Sequence, residues 1–119
     1  MRVAITGGRK IITDIVAPYM DLVHTKIGIT VLIEGEAIGI DKAGKAWAES
    51  CGVPVLAFPI RPEDWRLYGL SAGPRRNQKM IDIGKPDILV AFPGGRGTGD
   101  MVRRSRAAGL RIIEYPNPP

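Results

Sequence analysis

A chain of 119 residues with a net charge of +5 is one domain's worth of protein, and 45% hydrophobic residues suffice to bury a core without disulfides or metals. No apolar run reaches the roughly 20 residues of a membrane helix, MRVAIT runs directly into a strand pattern with no leader expected, and a lone Cys51 implies a reducing, cytoplasmic setting. The charge is uneven: Ile60 to Arg111 holds eleven Arg or Lys against five Asp or Glu, and the rest holds six against seven. That bias suits a phosphate-bearing ligand, and equally a solvated helix face.

Arg2–Thr6 reads as a buried strand closed by Gly7-Gly8. From about Ile11 to Ile27 apolar residues recur at helical spacing, with Pro18 predicting a kink or a short first segment. Thr30–Ile33 is a second strand, Asp41–Ser50 a helix stopped by Gly52, and Val53–Phe58 a third strand. Pro59–Ala72, with two prolines and the aromatics Trp65 and Tyr68, reads as an excursion with one short helical turn and the length of a functional loop. Pro74–Ile83 is a helix, Pro86–Phe92 a fourth strand, Thr98–Ala108 a helix and Leu110–Glu114 a fifth strand, followed by a frayed tail at 116–119. Ile-, Val- and Leu-rich strands alternating with helices predict an α/β, Rossmann-like three-layer sandwich. Its five-stranded parallel sheet would run in the order 3-2-1-4-5, with one domain over 1–115 and a crevice where strands 1 and 4 diverge.

Four segments should converge on that crevice. Gly7-Gly8-Arg9-Lys10 combines backbone access with two cations, although a glycine pair after a strand is often only a turn. In Glu34–Asp41, Asp41 is placed to cap the next helix, while Glu34 and Glu36 read as a poor catalytic pair. Gly73-Pro74-Arg75-Arg76-Asn77 puts cations near a helix N-terminus, where they are disfavoured unless an anion is close. The strongest signal is Pro93-Gly94-Gly95-Arg96-Gly97-Thr98-Gly99-Asp100: a glycine-rich strand-to-helix turn offering unpaired N–H groups, with Thr98 as a helix cap or phosphate ligand. It is neither a Walker loop nor a dinucleotide fingerprint. His24 and Cys51 are the only soft ligands, so neither metal nor cofactor is expected, and His24 reads as a capping or packing residue.

The order GGR (Gly7–Arg9), GxAxGxD (Gly35–Asp41), Asp64-Trp65, Tyr68-Gly69, AGPxRNxxM (Ala72–Met80) and AFPGGRGTxDMVRR (Ala91–Arg104) resembles the YspA-type, cpYpsA-related branch of the SLOG superfamily, across nearly the whole chain. Its relatives include the Lonely guy phosphoribohydrolases and DprA. The resemblance implies a Rossmann-like sheet, a PGGxGT phosphate loop, a pocket for a nucleotide or an NAD- or ADP-ribose-related ligand, and a homodimer. The phosphoribohydrolases cleave base from ribose 5′-monophosphate with an arginine four residues before a methionine, matched by Arg76 and Met80, and a glutamate. That glutamate's place holds Met101, with Asp100 one residue earlier and so turned by about 100° around the helix. Glu34, Ile38 and Ile40 stand where the branch commonly has His, Arg and Ala.

Three functions follow. The first is binding of a nucleotide-type ligand by Gly7, Gly8, Arg9, Gly35, Asp41, Arg76, Asn77 and Pro93–Thr98, with Trp65 or Tyr68 stacking on a base. The second is an N-glycosidase using Arg76 and Asp100. The third is DprA-like nucleic-acid binding, which modest charge and sparse aromatics disfavour.

Overall fold

The computed structural model describes residues 1–10 and 12–119. Five strands, β1 (Arg2–Thr6), β2 (Val31–Glu34), β3 (Val55–Ala57), β4 (Ile88–Ala91) and β5 (Arg111–Glu114), form one parallel sheet in the order β3-β2-β1-β4-β5. The helices are α1 (Val16–Ile27), α2 (Ile40–Cys51), α3 (Pro62–Tyr68), α4 (Ala72–Asp82) and α5 (Arg96–Ala107). The predicted α/β class, strand number and strand order are those observed.

Side chains alternate across the pleat, and this builds the three layers. Val3 and Ile5 of β1, Leu32 of β2 and Val90 of β4 pack with Val16, Met20 and Val23 of α1 and Ile40 and Trp47 of α2. Ala4, Ile33, Leu89 and Ala91 face the other way, onto Met80 and Ile81 of α4 and Met101 of α5. Burying each large aliphatic side chain contributes about 1.5–3 kcal/mol, so both layers are required. Because both faces are covered, the strands read as continuous apolar runs.

Several boundaries differ from the sequence reading. Of the two readings of Pro18, the short first segment is the one observed: a 3-10 turn at Thr13–Ile15 precedes α1, and Pro18 falls in the first turn of α1, where its missing N–H has no intrahelical partner to lose. The start expected at Ile11 lies outside the described residues. The Pro59–Ala72 excursion is mostly helical, with α3 followed by a 3-10 turn at Gly69–Ser71. At the end of the chain, Asn117 N–H donates to Glu114 O at 2.8 Å and the Tyr19 hydroxyl donates to Asn117 O. Tyr19, Phe92 and Tyr115 pack as one aromatic cluster with ring centroids 5.1–5.6 Å apart, so the tail has anchors despite its polar, proline-rich composition. His24 does close α1: its Nδ1 accepts the Ile29 N–H at 2.9 Å, and its ring meets Trp47 edge-on.

Candidate functional site

The sheet order reverses between β1 and β4, and there three loops meet through their backbones. Gly8 N–H donates to Pro93 O at 2.9 Å, and Gly8 O accepts the Ile40 N–H at 3.2 Å. Only glycine fits at two of these contacts. A Cβ on Gly39 (φ 92°) would lie 2.4 Å from Gly8 O, and one on Gly94 would lie 2.8 Å from Gly8 N. The loops after β1, β2 and β4 are thereby held around one crevice, at the carboxyl ends of the strands where open α/β sheets bind ligands.

The crevice encloses about 260 Å³. Its walls bring together Gly7, Gly8, Arg9, Asp41, Arg76, Asn77, Gly95, Arg96, Gly97 and Thr98 from the sequence reading, and add Ile5, Thr6, Ala37 and Met80. Those four were missed because Ile5, Thr6 and Met80 look like ordinary core residues, and Ala37 like filler in a turn. Three arginines face one carboxylate.

The N-terminus of α5 opens into this space. Its N-cap is Gly95 and carries no side-chain hydrogen bond. The helix begins at Arg96, two residues before the expected start, so Thr98 sits inside the first turn and does not cap it. Its Oγ1 lies instead over Gly94, where an added Cβ would collide with it.

Arg76 is the central cation. Nη1 donates to Gly35 O at 2.6 Å, Nε donates to Asn77 Oδ1 at 3.1 Å, and the guanidinium lies where a Cβ on Gly35 would be. Gly35 is therefore buried beneath Arg76 and does not line the crevice. Burial lowers the Arg76 pKa, opposed by Asp41 and reinforced by Arg9. Asp41 is the second residue of α2 and not its cap, because the helix starts one residue earlier. Its carboxylate turns back to the Ala37 N–H at 3.3 Å. Burial raises the Asp41 pKa, with Arg76, the Ala37 and Gly35 amides and Arg9 pulling it down.

Glu34 is fully buried. The chain does not stay extended after it: Glu36 takes φ 57°, and its N–H folds back to donate to Glu34 Oε2. Glu36 pairs with Lys45 at 2.8 Å, while Glu34 Oε1 has no partner among the described residues. Burial pushes the Glu34 pKa from 4.5 to about 7, the Glu36 amide opposing and Asp41 adding to the rise.

Asp100 and Trp65 lie elsewhere. The Asp100 carboxylate accepts from Asn77 Nδ2 at 3.0 Å and Arg104 Nε at 2.8 Å, on the outer side of α4 and α5. Burial raises its pKa, but Asn77, Arg104 and Arg103 outweigh that and hold it below the usual range. Trp65 lies outside the crevice and is 44% exposed. Pro93 and Gly94 line the opposite side of their loop. Met101 is fully buried against the sheet, so the position of the phosphoribohydrolase glutamate belongs here to the core.

The family described as YspA, cpYpsA-related SLOG (YAcAr) matches residues 1–68, more than half of the chain. The chain belongs to this family. In this SLOG protein the matched segment carries the loops after β1 and β2 and ends with α3, leaving α4 and α5 beyond it. No curated protein matches. Among solved structures, DNA processing protein A (DprA) from Streptococcus pneumoniae is similar with a TM-score of 0.74 at 19% identity, covering 98% of this chain and 50% of that one. The likeness is one of fold, and the SLOG chain spans about half the length of DprA. Among the described residues no group of three or more His, Cys, Asp or Glu side chains could hold a metal, and no helix is long and apolar enough to cross a membrane.

Two outcomes follow. Met101→Glu places an unpaired carboxylate in the core and should cost about 3–5 kcal/mol in denaturant unfolding, whereas Met101→Leu should cost less than about 1.5 kcal/mol; equal midpoints would contradict the burial of this side chain. Glu34 holds its proton more tightly folded than unfolded, so it opposes stability as it ionises. Stability should therefore fall as pH rises from 4.5 to about 7, by roughly 3 kcal/mol from this residue. Glu34→Gln should flatten that slope, and parallel pH profiles for the two proteins would refute the assignment.

Proposed function

We propose that this SLOG protein binds a nucleotide or nucleotide derivative, with a phosphate at the N-terminus of α5. The observation that carries the reading is the uncapped first turn of α5, opening into a crevice that also presents Arg9, Arg76 and Arg96. Unpaired backbone N–H groups and the helix dipole favour an anion there, and arginine adds charge-assisted, bidentate hydrogen bonds. Arg76 arrives preoriented by Gly35 O and Asn77, so little side-chain entropy is lost on binding. The short connections through Gly8 keep the three walls in register.

An N-glycosidase acting on nucleoside 5′-monophosphates is the second reading, and Asp41 favours it as the one carboxylate on the crevice wall. In that role Asp41 would stabilise positive charge developing on the ribose, in place of Asp100, which is engaged by Asn77 and Arg104. Release of free base from AMP by the wild-type protein, abolished by Asp41→Asn, is the expected sign; binding without release would sink catalysis and leave binding intact.

Gly97 separates binding from stability. A Cβ there meets nothing within 4 Å, and the residue lines the crevice. Gly97→Val should leave the thermal midpoint within a few degrees of wild type and weaken AMP binding at least about tenfold by calorimetry. Unchanged affinity would refute the placement of the phosphate.

A further inference from the structure

Arg76 is the wall between two cavities. On the side away from the α5 N-terminus lies a space of about 340 Å³, bounded by the end of β3, by α3 and by α4. Arg61, Arg75, Arg76 and Lys79 all line it, together with Phe58 and Tyr68. Among the described residues, none of these four cations forms an ion pair within 4.0 Å of a carboxylate. Asp64, the one carboxylate on the wall, accepts the Arg61 backbone N–H at 2.9 Å at the start of α3. Arg75 is held in place by non-ionic contacts: its guanidinium lies 4.1 Å over the Tyr68 ring, and its Nε reaches Ser71 Oγ at 3.3 Å. Four like charges gathered around one concavity repel one another, and that repulsion is least screened at half-buried Arg76. An anion entering the cavity would relieve that repulsion.

The crevice beside it is small. Its 260 Å³ falls below the roughly 300–1,000 Å³ usual for ligand sites, and no aromatic side chain lines it. A phosphate and its sugar would fill most of it. The remainder of a nucleotide must pass Arg76, and the adjoining cavity offers both aromatic surface and positive charge.

We infer that this second cavity is an anion subsite, and that the ligand is a nucleotide bearing a second, separate phosphate, taken up by Arg75 and Lys79. The inference rests on the first phosphate lying at α5. Two sources of that second phosphate share this chemistry, a nucleoside bisphosphate and a 5′-phosphorylated dinucleotide.

Calorimetry with AMP, adenosine 3′,5′-bisphosphate and pApA tests it, using wild-type protein and an Arg75→Ser/Lys79→Ser double variant. Both side chains are exposed, so the variant should keep its fold. Wild type should bind one of the two doubly phosphorylated ligands about 10- to 100-fold more tightly than AMP. The double variant should lose that advantage and bind AMP as wild type does; whichever ligand shows the advantage identifies the source. Amide shifts at Arg75 and Lys79 should be clearly larger with the favoured ligand than with AMP. If wild type binds all three equally, or the variant weakens all three equally, the subsite is overturned and the α5 phosphate site stands. If wild type binds none of the three, both readings fall.

Discussion

The arrangement depends on one backbone contact. Gly8 donates to Pro93 O and accepts from Ile40 N–H, so one residue ties the ends of β1 and β4 to the start of α2. Peptide groups approach this closely only where side chains are missing, which is what Gly39 and Gly94 supply. The crevice is therefore a product of main-chain packing, and its shape does not await the choice of a rotamer. The anion site proposed at α5, made of N–H groups, needs such rigidity, because its donors cannot reach for the ligand.

Charge is arranged with equal economy. Arg76 is buried enough for its pKa to be lowered, and it is stabilised by a carbonyl and an amide, with Asp41 acting from further away. A cation without a contact ion pair keeps its field available. Asp100 illustrates the opposite case: it is enclosed by Asn77, Arg103 and Arg104, which ties α4 to α5 and uses the carboxylate for structure.

Much of this was legible in the sequence. The strands announced themselves as apolar runs between glycine and proline signals, and the strand order followed from their alternation with helices. The convergence of Gly7–Arg9, Asp41, Arg76–Asn77 and Gly95–Thr98 followed from that topology. Helix starts were less visible. Thr98 looks like a capping residue, yet α5 begins two residues earlier at Arg96; α4 begins at Ala72, with Pro74 in its first turn. The fold-back at Glu36 was hidden because a glutamate at positive φ has no sequence signature; the buried Glu34 carboxylate accepting its N–H is what stabilises it. The distance of Trp65 from the crevice was equally hidden, since composition reveals that a segment is long and aromatic but not which way a short helix faces.

The α3 segment gives the two sides of Arg76 different mechanical characters. No residue from Pro62 to Ser71 is buried, and Leu70 is 95% exposed, whereas the crevice stands on loops tied to the centre of the sheet. One compartment has a stiff mould and the other a yielding flank, since segments with few buried contacts open at little cost in free energy. A ligand held at α5 as proposed would then meet a fixed mould at one end, while α3 adjusts its position around the charge that enters beyond Arg76.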